Sequence, residues 1–217
     1  ATCKIIGGHS YSNNDDQVYL GFSIIGKKKN YVKSKKIKKG KLYITGKIGS
    51  ALVFAAIEKK IISGMYSQEV INTMKQSNYE IFKIFSKFRI QHITDISGFG
   101  LAIHANNLLL RNSDLNGLEI SLKKVPLYKG AKEALNNNVK SSLNDANRNS
   151  IINNLRVDYD KINKNYLNCL FDPQTAGGFL FILDPTQKKI LNELDKKKIN
   201  YSSIGRVTNS NKKIKVI

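Results

Sequence analysis

Cysteine is scarce in this sequence: Cys3 and Cys169 are the only two, and they form no CxxC pair. A disulfide framework and a structural zinc site are thereby set aside, and a reducing compartment suits the chain. Long apolar runs are missing too. No stretch approaches the roughly 20 uninterrupted apolar residues that a membrane-spanning helix needs, and residues 1–8 lack the basic and apolar regions of a signal peptide. The expectation is a soluble, cytoplasmic protein without membrane partners. The chain opens with Ala1 and reaches Gly7-Gly8 almost at once, so we read it as beginning inside a domain. Acidic residues are few, 16 against 36 Lys and Arg, for a formal net charge of +20. Such an excess concentrates polyanions near a surface. Arginine, however, is confined to Arg89, Arg111, Arg148, Arg156 and Arg206, and phosphate and base recognition favours its bidentate fork. A solvated basic face is the preferred reading over a nucleic-acid site, with a stand-alone basic binding module kept as the alternative.

HExxH, Walker A and GxSxG patterns are absent, and Gly98-Phe99-Gly100 is followed by Ile103 where a dinucleotide fingerprint needs glycine. What is present is a chain of 217 residues, 41% hydrophobic, long enough for one packed domain or one domain plus a remnant of another. Val18, Leu20, Phe22 and Ile24 alternate with smaller or polar residues and predict a half-buried strand. The lysine-rich run from Lys27 to Lys41 reads as a loop or linker. A second strand, Leu42 to Thr45, leads through Gly46 and Gly49 to a nearly all-apolar helix that Ser50 is placed to cap. Glu69, Val70, Met74, Ile81 and Phe85 predict one longer amphipathic helix. Leu101, Ala105, Leu108 and Leu109 mark another. Residues 136–165 are rich in Asn, Ser and Lys, with weak periodicity, and read as a long surface excursion. Phe179 to Leu183 is a strand, Asp184-Pro185 a helix start, and Tyr201 to Val207 a closing strand. The fold class expected is α+β, with helices covering one face of a mixed sheet.

Three segments mix glycines with a polar side chain: Gly7-Gly8-His9-Ser10, Thr94-Asp95-Ile96-Ser97-Gly98-Phe99-Gly100, and Phe171-Asp172-Pro173-Gln174-Thr175-Ala176-Gly177-Gly178. Paired glycines let a backbone approach a phosphate, and a neighbouring carboxylate can hold the Mg²⁺ that accompanies ATP. Each segment alone is equally a tight turn or a helix cap.

Taken in order with Lys39 to Ala56 and Val125-Pro126-Leu127, these segments resemble selenide, water dikinase (selenophosphate synthetase), C-terminal part, within the aminoimidazole ribonucleotide synthetase-like ATP-binding superfamily. The resemblance implies an enzyme that makes selenophosphate, AMP and phosphate from selenide, ATP and water. It implies a remnant of the N-terminal ATP-binding domain over residues 1–36 and an α+β C-terminal domain over 37–217. Gly7, Gly8 and His9 map to ATP contacts and Asp95 to a Mg²⁺ ligand. The family's catalytic Cys or selenocysteine, its neighbouring Lys and several Asp residues belong to an N-terminal segment, and nothing before Gly7 matches them. Cys3 stands too close to the GGH loop to be that nucleophile, and Cys169 reads as a small buried hydrophobe. The implied partners are ATP, selenide and the N-terminal domain, with a homodimer for the full-length enzyme, and the chain alone is expected to be inactive. For the DPQT loop the residues favour a structural role, Asp172 and Gln174 ordering the turn and the glycines permitting close packing.

Overall fold

The structure is a computed structural model that describes residues 3–12, 14–26, 37 and 39–217. The chain divides into two compact units, 1–33 and 34–217. The domain boundary expected at residue 36, and most of the lysine run, lie outside the described residues. In the first unit no strand or helix forms among the described residues, so the strand predicted over 18–24 is corrected. Alternation marks a strand only when a neighbour supplies the hydrogen-bond ladder, and among the described residues no strand pairing engages 18–24. Val18, Leu20, Phe22 and Ile24 are exposed instead. Local order comes from Asp15, whose carboxylate accepts from the Gln17 N–H and the Tyr19 hydroxyl, each at 3.0 Å.

The second unit is built on a seven-stranded mixed sheet. Its strands are β1 (Lys41–Thr45), β2 (Ile93–Asp95), β3 (Gly117–Ile120), β4 (Leu155–Val157), β5 (Phe179–Leu183), β6 (Tyr201–Val207) and β7 (Lys213–Val216). They run in the order β2-β5-β1-β6-β3-β7-β4. Pairing is antiparallel from β2 to β3 and parallel where β7 joins β3 and β4. The helices are α1 (Ser50–Glu58), α2 (Ser67–Met74), α3 (Tyr79–Lys87), α4 (Gly100–Arg111), α5 (Lys129–Asn136), α6 (Asn144–Ile151) and α7 (Lys189–Lys196).

Side chains on a strand alternate between faces, and here both faces are covered, where the sequence predicted one. Leu42, Ile44, Leu180 and Ile182 enter the main core with Leu52 and Val53 of α1 and Leu101 and Leu108 of α4. Tyr43, Phe181 and Leu183 point the other way and meet Phe85 of α3 with Ile190 and Leu194 of α7. In that second core the Tyr43 and Phe181 rings stack at 5.4 Å and Phe85 tilts onto Phe181 at 4.8 Å. The single helix predicted over 67–85 is two, α2 and α3, because Lys75–Asn78 breaks the pattern. Residues 136–165 are likewise not an excursion: Asn144, Asn147, Ile151 and Leu155 are buried. No helix of the described residues is long and apolar enough to cross a membrane.

The end of α4 is closed by a lysine. Last-turn carbonyls lack intrahelical donors, and the Lys212 ammonium donates to Leu109 O at 3.4 Å, Asn112 O at 3.1 Å and also to Leu115 O. Lys212→Met keeps the aliphatic stem and removes the donors, so stability should fall by about 1.5–3 kcal/mol, the range for hydrogen bonds to a charged group. Urea denaturation checks this, and an unchanged midpoint would show the ammonium to be idle.

Candidate functional site

The two glycine-containing motifs of this unit interlock at one end of β2 and β5. β2 ends at Asp95, opposite Phe179, and the chain then turns through Ser97 and Gly98 into α4. Ile96 N–H donates to Gly178 O at 2.9 Å, and Gln174 N–H donates to Ser97 O at 3.1 Å. A side chain at Gly177 would stand 2.2 Å from Ile96 O, so the contact exists only because that residue is glycine. Gly100 adopts φ 76° against the backbone of Leu170 to Asp172. Asn147, from α6, donates to Gly98 O at 3.0 Å and Phe171 O at 2.9 Å, clipping both loops.

Asp172 and Gln174 serve α1. The Gln174 Oε1 accepts from Gly49 N–H at 3.0 Å, Ser50 N–H at 3.2 Å and the Ser50 hydroxyl at 3.1 Å. It supplies the cap expected of Ser50, which instead is the first helical residue, behind Gly49 in the left-handed region. The Gln174 amide donates to Asp172 O at 2.8 Å and Oδ2 at 2.9 Å. Burial pushes the Asp172 carboxyl up to about 6, opposed by the Ser141 hydroxyl, the Gln174 amide and the first-turn N–H groups of Leu52 and Ala51. Asp172 Oδ1 makes no well-formed hydrogen bond, so some of these contacts are longer electrostatic ones. A helix N-terminus is a ready anion site, but here protein side chains occupy it: Gln174 of the DPQT loop bonds the first N–H groups of α1 and holds Asp172 beside them.

Asp95 is exposed, and no ion pair among the described residues engages it. The structure sets His104 near it. His104 Nε2 receives the Ser97 N–H at 3.1 Å and lies 3.0 Å from Ser97 Oγ. A backbone donor at Nε2 requires that nitrogen to be unprotonated, so the ring carries its proton on Nδ1. Burial lowers the His104 pKa, the Asp95 charge raises it, and Arg111 lowers it. The net depression favours the neutral ring that this geometry needs. Sequence reading missed His104; the available signal was a histidine inside the apolar stripe Leu101, Ala105, Leu108. Gly7, Gly8 and His9 lie in the first unit and are exposed. No cluster of three or more His, Cys, Asp or Glu suited to a metal occurs among the described residues. Cys169 is fully buried, which pushes its thiol far up and makes it inert.

A family model, AIR synthase related protein, C-terminal domain, matches residues 41–217. The chain belongs to that family. Among relatives of this AIR synthase related domain, selenide, water dikinase of Clostridioides difficile (strain 630) is 28% identical over 177 residues, covering 81% of this chain and 50% of that protein. Selenide, water dikinase of Campylobacter jejuni (serotype O:2, strain ATCC 700819) is 26% identical over 210 residues, covering 94% and 58%. The chain spans about half the length of the curated relatives it matches. Solved structures share the fold. HypE, a hydrogenase maturation protein of E. coli, matches with TM-score 0.52 and 10% identity over 82% of this chain and 46% of that one. AaThiL complexed with AMPPCP and TMP matches with TM-score 0.50 and 19% identity, over 82% and 47%.

Proposed function

We propose that this chain is the C-terminal part of a selenide, water dikinase, an enzyme converting selenide, ATP and water to selenophosphate, AMP and phosphate. The observation that carries the reading is the interlocked pair of motifs, TDISGFG and DPQTAGG, which fixes the loop presenting Asp95. Relatives bearing that name extend over most of the chain. In this reading residues 1–36 belong to an ATP-binding domain, with Gly7, Gly8 and His9 contacting the nucleotide, and 37–217 form the second domain. The full-length enzyme is a cytoplasmic homodimer.

For Mg²⁺, the residues fit in part. Asp95 offers a hard oxygen donor at an exposed strand end, where Mg²⁺ takes carboxylate ligands. One carboxylate supplies one ligand, and water, the phosphates of the nucleotide and other carboxylates of the full-length protein would supply the rest. Bound there, Mg²⁺ would offset charge on the phosphates as two phosphoanhydride bonds break. The chain's own contribution is positional: neutral His104 holds the Ser97 amide, and the DPQT loop holds Ile96 and Ser97, so that Asp95 meets its ligand without rearrangement.

Incubated with selenide, ATP and Mg²⁺, the 217-residue chain alone should form no AMP, while a chain of the relatives' full length should form it. In that longer protein, Asp95→Asn should lower turnover at least tenfold at fixed Mg²⁺, the scale of losing one preorganised charge contact. AMP formed by the 217 residues alone, or full activity of the Asn variant, would overturn the reading.

A further inference from the structure

Val125-Pro126-Leu127 is a motif that the proposed chemistry leaves unused, and two of its residues, Val125 and Leu127, line a recess of about 400 Å³ on the second unit. Its lining includes the buried Leu122, Val125 and Leu127, taken as its floor, the half-buried Tyr166, and the exposed Lys123 and Lys132, taken as its rim. The base is rigid. Ile48 N–H donates to Pro126 O at 2.9 Å, Tyr128 N–H donates back to Ile48 O at 3.2 Å, and Leu122 N–H donates to Ile217 O at 2.7 Å. Ile48 and Leu127 pair as a parallel bridge, so the floor is tied to both the start of α1 and the end of β7.

Two properties set this recess apart from the basic surface around it. Its apolar lining includes Leu122, Val125 and Leu127, which the core holds in place at 5–7% exposure, so an apolar body would meet only the part of them that faces the recess. None of the described residues lining it is acidic, and neither Lys123 nor Lys132 is in an ion pair among the described residues. Ligand sites are commonly cavities of about 300–1,000 Å³ with apolar walls and a few placed polar groups. At this size the recess admits a single ring or a short chain and excludes a folded peptide segment. Lys132 and Asn136 stand one turn apart on α5, offering a cation and an amide on the same side of the opening.

We propose that this recess binds a small amphipathic anion, an aromatic or short aliphatic body bearing a carboxylate or phosphate. The body lies on the Val125–Leu127 floor and the head group meets Lys123 and Lys132. The site shares no residue with the Asp95 and His104 cluster and stands whether or not the dikinase reading holds.

The test is titration of the whole chain, followed by methyl NMR at Val125 and Leu127, with phenyl phosphate and benzoate as probes. Benzyl alcohol is the neutral control and inorganic phosphate the control without a body. At least one of the two amphipathic anions should shift both methyls saturably and bind at least tenfold tighter than either control; which one does so identifies the head group. Asn136→Asp puts a negative charge on the rim of an exposed helix face and should weaken that binding at least tenfold, as should Lys123→Met with Lys132→Met. Removing Lys188 and Lys189, an exposed pair at the start of α7, should change it less than twofold. Inorganic phosphate binding as tightly as phenyl phosphate would reduce the effect to the general +20 charge and overturn the proposal. Floor methyls that do not move, or rim variants that bind normally, would do the same.

Discussion

Asp172→Asn should make this protein more stable at pH 7.5, by about 1–3 kcal/mol, and should flatten its pH dependence between pH 4 and 6. The carboxyl is fully buried, and burial moves its pKa from 3.8 in the open chain to about 6. Between those values the folded protein keeps a proton that the unfolded chain has released. Stability therefore falls as pH rises through this window and stays lowered above it. A shift of that size, 6 less 3.8, corresponds to about 3 kcal/mol at about 1.4 kcal/mol per unit, as an upper bound. Asparagine removes the ionisation. Its oxygen can still accept from the Gln174 amide, and its NH₂ can donate to the Ser141 hydroxyl, which makes no well-formed hydrogen bond. Denaturant midpoints of both proteins at pH 4.5 and 7.5 decide the matter. If the variant is weaker at pH 7.5 and the parent's slope persists in it, Asp172 is held ionised and stabilising, and this account of its burial is wrong.

Gln174→Ala should have the opposite sign and a larger size, a loss of about 3 kcal/mol. The substitution leaves the buried N–H groups of Gly49 and Ser50 without their acceptor, and each orphaned buried donor costs about 1–3 kcal/mol. The damage should spread, because the lost side chain also pins Asp172, and the backbone N–H of the same residue, which alanine keeps but no longer anchors, bonds Ser97 O. Amide hydrogen exchange should therefore rise first at the start of α1 and in the 95–100 loop, not in α3 or α7. Uniform exchange across the unit would show that the loop and helix are not coupled through this side chain.

Features encoded locally were legible in the sequence. The Asp184-Pro185 start is a full capping box with Gln187, leading into α7, and β1, β5, β6 and α4 fall where their periodicities placed them. Two of the misses, the cap of α1 and the buried asparagines, share a physical cause, namely partners distant in the chain. The cap of α1 comes from a residue 124 positions away from Ser50, so the nearby serine was the natural but mistaken candidate. Asn144 and Asn147 looked like loop residues, yet their side chains satisfy carbonyls of the 165–171 turn and the Gly98 loop. β3, β4 and β7 are only three or four residues long, too short for a period-two pattern to register. The candidate site was half visible. Asp95 was read from its motif, whereas the hold of His104 on Ser97 required the turn between them to be folded.

The strand order also sets a schedule for synthesis. β4 has one neighbour in the sheet, β7, and Leu155 pairs with Ile214. A ribosome adding roughly 5–20 residues per second needs about 3–12 s to make the intervening stretch. Throughout that interval β4 can dock only through α6 and the residues beside it, and β3 is open along the edge that β7 will fill. The emerging chain thus carries an unpaired sheet edge for several seconds of synthesis, which is when a chaperone or an aggregating neighbour would find it.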